Sequence, residues 1–296
     1  MDILLPLIAA LLYPLASLLL KRAMQLGVSA LACQAIFAFS LALVSLPLLS
    51  LIDGIPEMST WGWVALSTVF LVVAQWVTIM AVRAGDVSVQ TPLMGSKLVM
   101  VALLASALGV DQLSWLGWVG VFIAVPAIFV ITGGSLSAWK KSRLTVILAL
   151  IACAMFAVSD VVSAAKAASL GVAAFVFLQG LMHLPFGLAL TSTGLKQSVN
   201  AQPGAWWFAL GGGFGLGLQS LCIGWGLCRY ANATEANMIY STRGLWGVLL
   251  VLAIGHWFGN AEAREAAPGV MRIRLIGAVL LIAAVGLVLT NPVLPK

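Results

Sequence analysis

Two stretches of the chain, 146 positions apart, share one pattern of polar residues in an apolar background. Residues 83–109 read RAGDVSVQTPLMGSKLVMVALLASALG, and residues 229–255 read RYANATEANMIYSTRGLWGVLLVLAIG. When the two are placed side by side, Ser96 meets Thr242 and Lys97 meets Arg243. Each copy therefore predicts an apolar helix with one cation near its middle.

A charge in the middle of a membrane helix restricts how that helix can be oriented. Burying it at the bilayer centre costs roughly 2.5 to 3.5 kcal/mol on insertion scales, so the side chain is turned toward a partner, a water-filled cavity or a substrate. Two cations at matching positions of a repeat predict one shared central cavity. Lys97 and Arg243 are therefore the first candidate substrate-binding residues.

The composition supports a membrane location. The chain is 62% hydrophobic and only 8% charged, whereas soluble domains have about 25% charged residues. Apolar runs of about 20 residues recur along the chain, which indicates one polytopic domain without a soluble one. Basic residues concentrate in the loops of membrane proteins, so the net charge of +6 does not indicate nucleic acid. The expected partners are the bilayer and a small molecule, with a monomer and a homodimer both open.

Apolar windows and helix breakers divide the chain into ten predicted spans. They cover residues 3–20, 28–51, 61–82, 87–108, 113–131, 144–165, 172–190, 206–227, 233–254 and 273–290. A polar, basic linker at residues 133–143 separates two halves, 1–132 and 144–296, with five spans each. An odd number of spans inverts the second half relative to the first, as in secondary transporters whose site lies near the midplane. The predicted fold is thus an all-α integral membrane protein of ten transmembrane helices arranged as two inverted five-helix repeats.

This architecture resembles the drug/metabolite transporter superfamily, EamA type, over essentially the whole chain. Members commonly carry a Ser-Pro pair near the centre of the fourth and ninth helices and a Gly-Glu pair at the end of each. Here the central positions hold Lys97 in MGSKL and Arg243 in STRGL, and the terminal acidic positions hold Asp111 and His256. The resemblance implies a multi-pass transporter of the cell (inner) membrane. It also implies cytoplasmic termini, whereas the distribution of basic residues favours external ones, so the sidedness stays open.

The types of the two cations indicate an anionic ligand. A compact ammonium and a planar guanidinium together suit a carboxylate, sulfonate or phosphate, which the guanidinium can hold by two parallel hydrogen bonds. Asp160 is the only acid that we place well inside a predicted helix. It is either a counter-ion that competes with the substrate, a proton-coupling carboxylate, or a fixed structural partner of Lys97 or Arg243.

Further candidates are polar or aromatic residues inside the predicted spans. Gln34 and Gln179 occupy nearly matching repeat positions, and His183 follows Gln179 by one helical turn. Tyr240 and Trp246 flank Arg243 at three residues on either side, and Tyr13 precedes Pro14. The predicted site comprises the substrate-binding residues Lys97, Arg243, Tyr240, Gln34, Gln179, Tyr13 and Trp246, with Asp160 and His183 as coupling or counter-ion residues. The competing interpretation for the amides and the histidine is that they join helices within the core.

Two other classes of site find no support in the pattern. The four cysteines show neither CxxC nor Cys/His spacing, so no metal or cofactor is expected. The run GGGFGLG at residues 211–217 lacks the lysine of a phosphate-binding loop, and its glycines instead predict close helix packing.

These features predict a secondary-active transporter of small organic anions, such as phosphorylated or carboxylated metabolites, that works by alternating access and exchange. Two alternatives remain open: a proton-coupled exporter of amino acids or amphipathic drugs that uses Asp160, and a lipid-phosphate flippase that uses the same cations. An enzyme is not expected, because the loops contain no acidic cluster or His/Asp arrangement.

Overall fold

The computed structural model of the protein describes residues 3–52, 54, 57–84, 93–131, 143–254 and 268–290. Within these ranges the regular structure is entirely helical. Before residue 132 the α-helices are α1 (Leu4–Gln25), α2 (Ala30–Ser45), α3 (Trp61–Ala84), α4 (Lys97–Ala107) and α5 (Trp115–Ile131), with short 3-10 helices at Leu46–Leu51, Met58–Thr60 and Met94–Ser96. After residue 142 they are α6 (Arg143–Leu170), α7 (Val172–Leu181), α8 (Leu184–Gln197), α9 (Ala205–Tyr230), α10 (Ala233–Ser241), α11 (Arg243–Ile254) and α12 (Pro268–Thr290).

Six helical segments of the described chain are long and apolar enough to cross a bilayer: Leu4–Gln25, Ala30–Leu51, Met58–Thr78, Arg143–Leu170, Val172–Gln197 and Ala205–Tyr230. A hydrocarbon core of about 30 Å requires about 20 helical residues, which each of them provides. Met94–Ala107, Trp115–Ile131 and Ile276–Thr290 are shorter apolar helices. The chain is therefore an all-helical, multi-pass membrane protein.

Two predicted continuous spans are interrupted. The predicted span at 172–190 consists of α7 and α8, because the chain turns at Met182 and His183 and Pro185 has no N–H to continue the ladder. The predicted span at 233–254 consists of α10 and α11, which meet at Thr242. Sequence windows average over such single-turn breaks, so hydropathy alone merged each pair into one helix.

Each main helix pair joins a helix before residue 132 to a helix after residue 142. Helix α1 packs along α9, and α6 packs along α3. Helix α5 packs along α12, and α2 lies against both α8 and α9. Gly27 and Gly171, which follow α1 and α6, both have positive φ values, of 98° and 87°. Only glycine adopts such a φ without strain, so both positions favour glycine.

Glycines set the spacing of the closely packed helices. In the run at residues 211–217, a Cβ on Gly212 would lie 2.7 Å from Leu20 of α1, and one on Gly217 would lie 3.0 Å from the backbone of α2. The prediction that this run serves helix packing is confirmed. The interface of α5 and α12 is equally tight, since a Cβ on Gly120 would lie 2.8 Å from the carbonyl oxygen of Ala284.

Several predicted features lie outside the described residues. These are residues 132–142, which include nearly all of the predicted linker at 133–143, together with His256 and the side chain of Arg83. Arg143, the last residue of the predicted linker, is the first residue of α6.

The α5 and α12 interface yields a test of the packing. We expect Gly120→Ala to destabilise the protein by about 1 to 3 kcal/mol, because the new methyl group meets a backbone oxygen that cannot move away. The measurement is thermal unfolding of the purified protein in detergent, followed by circular dichroism. Gly286→Ala, in the same helix pair, is the matched control: nothing lies within 4 Å of its new Cβ, so its unfolding temperature stays equal or rises. Equal unfolding temperatures for the two variants would contradict the described packing.

Candidate functional site

Both predicted cations stand at the first residue of a helix, immediately after an irregular turn. Lys97 begins α4 after the 3-10 turn Met94–Ser96, and Arg243 begins α11 after Thr242. The Ser96 hydroxyl donates to the Leu93 carbonyl at 2.7 Å, and the Thr242 hydroxyl donates to the Ile239 carbonyl at 2.7 Å. Both bonds therefore join residues at matching positions of the two stretches. Irregular backbone at membrane depth is tolerated where it is buried in protein or lines a cavity.

Lys97 is held by the predicted acid. Its Nζ lies 2.7 Å from Asp160 Oδ2 on α6, and both side chains are buried. Asn237 on α10 donates to the same Oδ2 at 2.8 Å and to the Ala233 carbonyl at 3.0 Å. The carboxylate thereby joins α4, α6 and α10 through one charged and one neutral hydrogen bond. Pairing of this kind offsets the high cost of burying either charge alone.

Arg243 is held in a different way. Its Cζ lies 4.3 Å from the ring centroid of Tyr240 and 4.7 Å from that of Tyr13, and these two rings contact edge to face. Cation–π contacts of this geometry contribute about 0.5 to 2 kcal/mol each, and Tyr240 also hydrogen-bonds the guanidinium. Arg243 is half-buried. Among the residues that the structure describes, no carboxylate lies within 4.0 Å of its guanidinium.

Tyr240 brings the two cations together. The Lys97 Nζ lies 5.9 Å from the Tyr240 ring centroid, and Phe156 lies on another side of this ammonium at 5.4 Å. Trp246 packs with Tyr240 and with Ala9 and Ala10 of α1. Its buried Nε1 has no hydrogen-bond partner within the described parts of the chain. Six of the predicted site residues thus form one cluster: Lys97, Arg243, Tyr240, Tyr13, Trp246 and Asp160.

The other three predicted residues lie in a separate set of hydrogen bonds. Gln34 on α2 donates to Gln75 on α3. Gln179 on α7 donates to Ser67 on α3 at 2.8 Å, and Ser67 contacts Ser159 and Ser163 of α6. These bonds join helices, as buried amides in membranes commonly do. Both amides therefore bond to α3 rather than to Lys97 or Arg243.

His183 is fully buried at the turn between α7 and α8. Its Nδ1 lies 2.7 Å from the Gln179 carbonyl, and its ring meets Phe37 edge on. Its Nε2 has no hydrogen-bond partner among the residues with described positions. The ring thus occupies the core between α2 and α7.

The structure adds two polar residues that the sequence analysis did not single out. Asn237 contacts Asp160 directly, and Glu235 is a further buried acid, in the first turn of α10. Asp160 itself lies in the middle of α6. The available signal was the helical spacing of Asn237 and Tyr240, three residues apart and hence on one face. No group of three or more His, Cys, Asp or Glu in the described part of the chain is placed to hold a metal ion.

Comparison with known proteins supports the fold alone. No protein-family model matches the sequence, and no curated protein matches it. Twenty-seven chains of solved structures are similar. One of these, described only as "Crystal structure of protein", covers 97% of this chain and 96% of its own length with a TM-score of 0.72 and 13% sequence identity. The fold of the described helices is thus shared with a known structure across nearly the full length of both chains.

The buried ion pair yields a second prediction. We expect Asp160→Asn to destabilise the protein by about 3 to 5 kcal/mol, because Lys97 is then a buried charge without a carboxylate. The measurement is chemical unfolding in detergent micelles. The double variant Lys97→Met with Asp160→Leu is the control, and most of the stability should return because apolar side chains replace both charges. An unchanged midpoint in Asp160→Asn alone would mean that the pair contributes nothing to the fold.

Proposed function

We propose that this protein is a secondary-active carrier of small organic anions, built from ten membrane spans in two inverted five-helix repeats. In this proposal it is a member of the drug/metabolite transporter superfamily, EamA type. It exchanges its substrate across the cell (inner) membrane by alternating access around the cluster at Lys97 and Arg243. Phosphorylated and carboxylated metabolites are the substrate class.

Local geometry supports the repeat. The matched hydroxyl bonds of Ser96 and Thr242, the matched positive φ values of Gly27 and Gly171, and the reciprocal packing of α1 on α9 and α6 on α3 all relate the two ends of the chain. Five spans in each half invert one relative to the other, and in such carriers the interrupted helices meet at the substrate site. Irregular turns immediately precede both α4 and α11, where Lys97 and Arg243 lie.

One observation carries the choice of substrate. Arg243 is a half-buried guanidinium held on two tyrosine faces, with no carboxylate within 4.0 Å among the described residues. The rings fix the plane of the guanidinium, and Tyr240 also hydrogen-bonds it, so the donors that remain are offered in one fixed plane. A planar fork fixed in this way suits the two oxygens of a carboxylate or phosphate.

The ion pair supplies the second part of the proposed mechanism. An anion that reaches Lys97 competes with Asp160 for the same ammonium. Binding then exchanges one anionic partner of Lys97 for another. Because Lys97 is already desolvated in its pair with Asp160, substrate binding adds no further cost of desolvating it. This competition favours exchange of one anion for another over net leakage.

The same pair also favours the first alternative. In a proton-coupled exporter of amino acids or amphipathic drugs, this buried carboxylate, bonded to Lys97 and Asn237, would be the coupling residue. The flippase alternative uses the same cations but takes its phosphate from the lipid phase.

The test of the proposal is uptake into proteoliposomes of a radiolabelled panel of small carboxylates, phosphates and sulfonates. We expect Arg243→Gln to lower uptake of the transported member about 10- to 100-fold, because a charged hydrogen-bond donor contributes about 1.5 to 3 kcal/mol to binding. Uptake by Arg243→Lys should fall between that of Arg243→Gln and that of the parent, since lysine keeps the charge and lacks the planar fork of the guanidinium. Lys196→Gln, at an exposed position of α8, is the matched control and should leave uptake unchanged.

The outcomes separate the alternatives. If Arg243→Gln transports the anions as well as the parent does, the proposed role of Arg243 is wrong. If Asp160→Asn abolishes transport while the cation variants keep it, the proton-coupled exporter is selected. If a short-chain phospholipid is moved and none of the water-soluble anions is, the flippase is selected.

A further inference from the structure

Asp111 lies outside the cluster described above, in the loop between α4 and α5. It is fully buried, and its Oδ2 accepts a hydrogen bond from the backbone N–H of Thr234 at 2.7 Å. Thr234 belongs to the first turn of α10, whose N-cap is Asn232. Asp111 therefore links the half before the linker to the start of a helix in the half after it.

The second oxygen of this carboxylate is not satisfied. Asp111 Oδ1 is buried and has no hydrogen-bond partner among the described residues, and within the same residues no Lys, Arg or His nitrogen lies within 4.0 Å of the carboxylate. Burying a charged carboxylate without a cation is expensive, so such groups bind a proton instead. Burial raises the pKa of Asp111, and hydrogen bonds from the first turn of α10 oppose that rise.

The charged residues on the surrounding elements do not replace the missing cation. Lys97, at the other end of α4, is paired with Asp160 of α6. Arg229, near the end of α9, is exposed to solvent. Glu235, next to Thr234 on α10, is buried and acidic, so it supplies no positive charge. The helix N-terminus is then the principal positive field at Asp111.

Helix α10 connects Asp111 to the cluster around Lys97 and Arg243. Asn237, one turn beyond Thr234, donates to Asp160, and Tyr240, near the end of the same helix, contacts both Arg243 and Lys97. A shift of this nine-residue helix at its first turn therefore reaches the ion pair and the stacked guanidinium together.

We propose that Asp111 is a proton-binding site of the transport cycle, protonated on Oδ1 when α4 and α10 are closed on each other and deprotonated when they separate and admit water. This inference rests on the proposed carrier function. An O–H bond forms on Oδ1 with a proton from water on one side of the membrane, and it breaks by transfer of that proton to water on the other side. No further reactant is required.

Infrared spectroscopy tests this site without any substrate. In pH-difference spectra of the purified protein in liposomes, we expect a carboxylic-acid C=O band that disappears as the pH rises. Asp111→Asn should lack this band, while its amide oxygen still accepts from the Thr234 N–H and preserves the fold. Glu235→Gln is the matched control and should keep the band. A titrating band that survives in Asp111→Asn, or no titrating band in the parent, overturns the proposal.

The pH dependence of the protein's stability should reveal the same protonation of Asp111. Because the pKa of Asp111 is raised in the folded chain, its proton stabilises the fold at low pH, and that stabilisation is lost as the pH rises through the folded pKa. We expect the unfolding temperature of the parent to fall over this range relative to that of Asp111→Asn, which has no proton to lose. Parallel pH profiles for the two proteins would contradict the assignment.

Coupling is tested in proteoliposomes that contain a pH-sensitive dye. Adding the transported anion of the panel above should change the internal pH for the parent and not for Asp111→Asn, which should retain anion exchange at equal pH on both sides. Retained proton movement in Asp111→Asn overturns the proposal. If no anion of the panel is transported while the infrared band behaves as expected, the carrier assignment fails and the proton site stands.

Discussion

The arrangement of the interior depends on the cost of placing charge in a medium of low dielectric constant. Lys97 and Asp160 are both buried, and neither would be tolerated there without the other. Their contact fixes α4 against α6, and the hydrogen bond from Asn237 adds α10 to the same point. Because three helices converge on one carboxylate oxygen, a change in its partner or its charge alters the packing of all three.

The two cations of the matched stretches are accommodated differently because their side chains differ. An ammonium concentrates its charge on one atom and is satisfied by one oxygen of Asp160 at 2.7 Å. A guanidinium spreads its charge over a plane, and two aromatic faces stabilise that plane. The two cations are thus satisfied in unequal ways, Lys97 by an internal acid and Arg243 by two tyrosines.

Sequence reasoning located the charged residues but not all of their partners. Lys97, Arg243 and Asp160 stand out because a charge in an apolar run has few interpretations, and Tyr240 and Trp246 follow from helical spacing around Arg243. Asn237 was missed although it lies within the predicted span at 233–254, because only the packing of α10 against α6 reveals its contact with Asp160. Gln34 and Gln179 were expected to share a role from their near-matching positions. Their partners depend instead on which helix lies opposite, which a single sequence does not encode locally.

The break at Thr242 explains why these residues meet around a single ring. If α10 and α11 formed one regular helix, its regular angular steps would fix the directions of Asn237, Tyr240 and Arg243 relative to one another. Tight contact of Arg243 with Tyr240 would then compete with the contact of Arg243 with α1. The Thr242 carbonyl accepts from both Leu245 and Trp246, so the ladder tightens there and the two segments can differ in direction. Arg243 then lies against Tyr13 of α1 while Asn237 remains on Asp160.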